Sequence, residues 1–280
     1  MKKLTSLILV LIFILPLFSN GQKEKTKPII SVSIIPQATF VEKIAKNKVD
    51  IVTLIPKGAS PENYEPTPKQ RMNFEDSDIY FSIGVPSEKY NIIPMLNDKT
   101  KAIYLANEIS KTYPPLYIGL EKDPHIWLSP KRVLLMIDII ERELSIIDEE
   151  NSSFYKENAK LYKAEINDAI NKINDSLKSY KNKSFLVYHP AFNYFANDFN
   201  LNMISIEEEG KEITPKTLIE TINKAKSLNI ENIYYQGEIA SEKSISISKE
   251  LNGKAILLDP LSPNYVDNLI LMANTFKENF

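Results

Sequence analysis

The chain holds two histidines, His125 and His189, and they are its only imidazoles. His125 sits in Asp123-Pro124-His125-Ile126-Trp127, four residues ahead of Ser129. His189 closes the apolar run Phe185-Leu186-Val187-Tyr188. Asp259 closes a similar run, Ala255-Ile256-Leu257-Leu258, as the first polar residue after buried β-type sequence. Glu62 lies in Gly58-Ala59-Ser60-Pro61-Glu62-Asn63-Tyr64-Glu65-Pro66, just beyond another such run. In open α/β sheets, ligands bind outside the carboxyl ends of strands, where these residues fall. Two neutral imidazoles and two carboxylates would neutralise a divalent ion, and N₂O₂ is an acceptable shell for zinc. Taken alone, each histidine also reads as a hydrogen-bonded structural residue and each acid as a solvated loop carboxylate. The four positions are separated by 63, 64 and 70 residues, so local spacing does not decide between these readings.

Composition removes other chemistries. There is no cysteine, which excludes disulfides, thiolate metal sites, iron–sulfur clusters and cysteine nucleophiles. Arg71, Arg132 and Arg142 are the only arginines and the net charge is −2, a poor footprint for nucleic acid. The seven glycines never come closer than 16 residues, so neither GxGxxG nor a Walker loop can be written. Gly58-Ala59-Ser60-Pro61-Glu62 lacks the second glycine of a GxSxG nucleophile elbow.

The elements that must position the candidates follow from periodicity. Short β-rich runs alternate with helical stretches from Pro28 onward, the pattern of α/β folds with mainly parallel sheets. Strands are expected at Ile29–Ile35, Asp50–Ile55, Asp78–Ile83 and Ala102–Leu105. A second set falls at Ser184–Tyr188, Met203–Ile206, Asn232–Tyr235 and Ala255–Leu258. Four strands in each half predict two lobes. Between them Tyr155, Ala159, Tyr162, Ile166, Ala169, Ile173, Leu177 and Tyr180 recur every three or four residues. That is one face of a single helix over about 151–180, roughly 45 Å long, which reads as a rigid strut between the lobes. Four hydroxyl–proline pairs, Thr67-Pro68, Ser129-Pro130, Thr214-Pro215 and Ser262-Pro263, read as helix starts, with Gln70 completing a capping box on Thr67.

Lys2, Lys3 and the apolar run Leu7 to Phe18 are too short to span a bilayer but fit a secretory signal cut after Gly21. The expected organisation is a signal at 1–21, an N-terminal lobe at 22–150, a linking helix at 151–181 and a C-terminal lobe at 182–280. A lipid anchor would need a cysteine near position 21, so a free exported monomer, periplasmic or otherwise extracytoplasmic, is expected.

Several stretches resemble the solute-binding proteins of zinc and manganese ABC transporters (cluster A-I, the bacterial solute-binding protein 9 family). They are Gly58 to Pro68, Asp123 to Pro130, Tyr188 to Phe195, Glu209 to Pro215 and Leu258 to Leu261, in the family's order across residues 28–280. The resemblance implies two α/β lobes joined by one long helix. It also implies an ion captured between the lobes and handed to a membrane permease with its ATPase. Position by position, His125 and His189 match the family's second and third metal ligands and Asp259 its fourth. The place usually held by a first histidine holds Glu62. Either Glu62 replaces it as an oxygen ligand or water completes a three-residue site. The histidine-rich acidic loop of many zinc-specific members is absent. Glu238 is a reserve ligand, the run Glu207-Glu208-Glu209 reads first as a solvated charge run, and Trp127 as a prop beneath the His125 loop.

The expected function is therefore capture of one Zn²⁺ (alternatively Mn²⁺) per chain for import. Two other readings are a metal-dependent surface adhesin and a metal-dependent hydrolase. Four protein ligands would close the open position that a catalytic zinc needs, so no enzymatic activity is expected.

Overall fold

A computed structural model describes residues 27–180, 183–207, 213–237 and 241–277. The signal expected at 1–21 lies outside them. The first sheet is built from β1 (Ile29–Val32), β2 (Asp50–Thr53), β3 (Ile79–Ser82) and β4 (Lys101–Tyr104), all parallel, in the order β2-β1-β3-β4. The second contains β7 (Ser184–Val187), β8 (Asn202–Ser205), β9 (Ile233–Tyr235) and β10 (Ala255–Leu257), again parallel, in the order β10-β9-β7-β8. All eight expected strands form; six are shorter than expected, and β4 and β8 keep their length but start one residue earlier. The first run is cut most, because helix α1 (Ile35–Ala45) starts where it was expected to end. Each strand order is generated by helical crossovers, so the chain's polar turns collect at the strands' carboxyl ends. A two-stranded hairpin, β5 (Tyr117–Ile118) with β6 (Glu121–Lys122), was not expected. Gly119, at φ +58°, makes its turn.

Between the sheets runs α5 (Ser152–Leu177), 26 residues and about 39 Å long. Its buried stripe is Tyr155, Ala159, Tyr162, Ile166, Ala169, Ile173 and Leu177; Tyr180 lies beyond its end. α5 packs against α1 and α4 (Pro130–Ile147) of the first half and against α9 (Tyr265–Phe276) of the second, which is the strut arrangement. One continuous core runs from Ile30 through α5 to Phe276, and a smaller cluster around Leu186, Ile233 and Leu251 stays within the second lobe. The rings of Phe185, Phe192, Phe195 and Tyr234 gather around Phe276, fastening α9 to the second sheet.

Three of the four hydroxyl–proline pairs cap helices. Thr67 begins α2 (Pro68–Glu75) with the expected Gln70 box; Ser129 begins α4; Thr214 begins α7 (Pro215–Ser227). Ser262 does not. α9 starts at Tyr265 behind Asn264, because Ser262 Oγ accepts the Asn264 N–H at 3.3 Å in a local turn. The Pro263 carbonyl meanwhile accepts the Thr39 hydroxyl of α1 at 3.0 Å. That carbonyl serves a contact between lobes instead of a first helical turn.

Candidate metal centre

His125 follows the hairpin and opens the short turn Ile126–Leu128 that leads into α4. Asp123, two residues back, fixes it twice: Asp123 Oδ1 lies 2.9 Å from the His125 backbone N–H and 2.8 Å from ring Nδ1. Asp123 is buried, and its other oxygen has no partner among the described residues. Trp127 supports the ring from 5.2 Å, and its indole N–H donates to the Pro260 carbonyl at 2.9 Å. The Tyr265 hydroxyl donates to the Trp127 carbonyl at 2.9 Å. The prop expected beneath His125 is thus also a tie between lobes.

His189 leaves the end of β7, whose last turn is held by the Tyr188 N–H on the Tyr234 carbonyl at 2.8 Å. Its Nδ1 is 2.8 Å from Glu207 Oε2, at the end of β8 (Asn202–Ser205), and its Nε2 is 3.1 Å from Glu62 Oε1 of the other lobe. The rings of His125 and His189 stand 5.3 Å apart, edge to face. Each imidazole therefore has Nδ1 occupied by a carboxylate and is left with Nε2 for chemistry, the arrangement typical of metal-binding histidines.

Glu62, His125, His189 and Trp127 line one cavity, together with Ser60, Val85, Pro86, Gln236, Pro260 and Leu261. At about 20 Å³ it has room for one water-sized species. The wall at Val85 and Pro86 is anchored by Glu88, a fully buried carboxylate that accepts from the Ser33 and Ser82 hydroxyls. It also accepts from the Ile83 and Gly84 N–H groups, both at 2.8 Å. Burial raises the Glu88 pKa above the ordinary glutamate value, against the lowering effect of these four donors.

Three of the four expected ligands thus meet. Asp259 stands apart: it is exposed, is not part of the cavity wall, and spends Oδ1 on the Leu261 N–H at 2.9 Å. Pro260 and Leu261, immediately after it, do reach the wall. Among the described residues no three His, Asp or Glu side chains converge as a finished ion cage. Glu62 and His189 approach to 3.1 Å, and Asp259 accepts from its own turn. Glu208, Glu209 and Glu238 lie outside the described residues, whereas Glu207 is a partner of His189 rather than a solvated charge. Sequence reasoning missed Asp123 and Gln236. The signal was present for both: Asp123 is two residues from a histidine, and Gln236 is the first polar residue after β9, the rule that selected His189 and Asp259.

Two parallel-sheet lobes on one strut, with a small cavity lined by Glu62, His125 and His189 at their strand ends, define a two-lobed binding protein. The sequence profile of the family described as zinc-uptake complex component A, periplasmic, matches residues 30–279, and the chain belongs to that family. Its members are metal-binding components of transport systems, not enzymes. A crystal structure of ZnuA superposes with a TM-score of 0.83 at 31% identity, covering 91% of this chain and 100% of that one. The high-affinity zinc uptake system protein ZnuA of Bacillus subtilis is 27% identical over 243 residues, 81% of this chain and 76% of the relative. The zinc-binding lipoprotein AdcA of Streptococcus pneumoniae is 26% identical over 285 residues, covering 93% of this chain but 56% of that longer protein.

Proposed function

We propose that this chain captures a divalent metal ion outside the cytoplasmic membrane, zinc in preference to manganese, and delivers it to an ABC permease with its ATPase. Residues 22–150 and 182–280 act as the two lobes and 151–181 as the strut, with 1–21 as the export signal. The observation that carries the reading is the pair of buried imidazoles 5.3 Å apart, each with Nδ1 held by a carboxylate, facing a cavity of atomic size. The zinc named for the relatives in Bacillus subtilis and Streptococcus pneumoniae supports the choice of cargo.

His125 and His189 supply Nε2 nitrogens, Glu62 an oxygen, and Asp259 the second oxygen once its carboxylate exchanges the Leu261 N–H for the ion. Two carboxylates then balance a doubly charged cargo. The Glu62 carboxylate lies 3.1 Å from His189 Nε2, the nitrogen that cargo would take. His189 is held through Nδ1 by Glu207. Cargo competes with protons for the imidazole nitrogens, which couples loading to pH. Glutamate in place of imidazole hardens the shell toward manganese, while the Irving–Williams order and a small four-donor site favour zinc.

Native mass spectrometry of the mature chain with its metal retained tests this reading, with one divalent ion per chain expected. A chain that stays metal-free in micromolar zinc and manganese would sink it.

A further inference from the structure

Gln236 follows β9, is 7% exposed, and forms part of the cavity wall shared by Glu62, His125 and His189. Its Nε2 is buried with no hydrogen-bond partner among the described residues. A buried amide donor left unpaired is costly, and native structures rarely keep one without a role for it. The one carboxylate on the same wall is that of Glu62, whose Oε1 lies 3.1 Å from His189 Nε2. If His189 Nε2 is a ligand, Oε1 must give up that close contact when cargo arrives. The Glu62 carboxylate then has one oxygen for the ion and a second that needs a donor.

We propose that Gln236 is a specificity-determining positioning residue, whose Nε2–H groups take the second oxygen of Glu62 in the loaded site. Held in this way, Glu62 binds the ion through one oxygen only. Single-oxygen coordination keeps the donor count near four, which suits zinc, whereas manganese is better served by hard oxygen shells of higher number. The unpaired amide and the close Glu62–His189 contact are then two aspects of one arrangement: loading releases the second and satisfies the first.

The inference rests on the metal-capture reading, and the test separates the two. Zinc and manganese affinities are measured by competition with a chelator for the full mature chain and for Gln236→Met and Gln236→Leu. Thermal unfolding of each metal-free protein is followed alongside. If the wild-type chain binds neither ion, the metal-capture reading fails. If it binds, both variants should lose roughly 10- to 100-fold in zinc affinity, the usual cost of removing a partner behind a ligand. Manganese affinity should fall by less, so the zinc-to-manganese ratio narrows. The metal-free variants should melt at the wild-type temperature or above it, because an unpaired buried donor has been removed. An unchanged zinc-to-manganese ratio overturns the inference. So does a lowered melting temperature with unchanged affinity, which would make Gln236 a structural residue.

Discussion

The two walls of the cavity are built on different principles. On the N-terminal side His125 and the Val85–Pro86 wall are held by their own lobe: Asp123 grips His125 from two residues away, and Glu88 draws Ser33, Ser82, Ile83 and Gly84 together behind Val85 and Pro86. On the C-terminal side the groups depend on distant partners or lack them. His189 is held by Glu207 from 18 residues on and by Glu62 of the opposite lobe, Gln236 Nε2 is unpaired, and Asp259 faces its own turn. One wall is fixed by bonds within its lobe; in the proposed capture of an ion, the other is completed by cargo. α5 and the Trp127–Pro260 tie keep the walls in register meanwhile.

Removal of either imidazole tests the comparison most severely. His125→Ala and His189→Ala should each weaken zinc binding by more than roughly 100-fold, beyond the cost of losing a supporting partner. Calorimetric titration would show it. Near-wild-type affinity in either variant would take that ring out of the site.

Glu62 bridges the walls and should rank next. Glu62→Gln keeps its size but removes the charge that balances the ion, and zinc affinity should drop by at least about tenfold. Glu62→His should restore zinc binding and widen its margin over manganese. Chelator competition with both metals reads the result; two silent substitutions would return Glu62 to a surface role.

The supporting carboxylates sharpen the contrast. Asp123→Asn and Glu207→Gln should each cost roughly tenfold in zinc affinity. Both should also change the tautomer of the histidine they hold, visible in the ring nitrogen shifts by nuclear magnetic resonance. A ring that keeps its tautomer in either variant would show that the carboxylate does not orient it.

The smallest effect concerns the fixed wall. Glu88→Gln cannot accept from all four donors and should cost about 1–3 kcal/mol in urea unfolding. Burial raises the Glu88 pKa in the folded state, so the native protein holds this proton more tightly than the unfolded chain does. Its contribution is therefore greatest below the ordinary glutamate value, declines as pH rises through the raised value, and then levels off. The decline should be absent from Glu88→Gln; an identical pH profile would contradict the assignment.

Much of this was legible in the sequence. Apolar runs located all eight strands of the two sheets, and a three-and-four periodicity located α5, because burial patterns of single elements are local. The rule of the first polar residue after a strand singled out His189 and Asp259, and strand-end loops pointed to His125 and Glu62, whose place the resemblance gives to a histidine. It failed to settle Asp259, because nothing in Leu258-Asp259-Pro260-Leu261 tells whether a carboxylate turns toward a cavity or onto an N–H two residues ahead. Glu207 read as part of a charge run, since its imidazole partner comes from another strand. The Ser262-Pro263 pair misled because a contact with Thr39, 224 residues away in sequence, claimed the carbonyl that a helix would have used.

The central claim is that two imidazoles from opposite lobes share one ion. Zinc K-edge absorption of the loaded chain measures this directly. The expected spectrum has two imidazole nitrogens and the remaining donors oxygen, all near about 2.0–2.1 Å. A bound zinc with one imidazole or none would contradict the account.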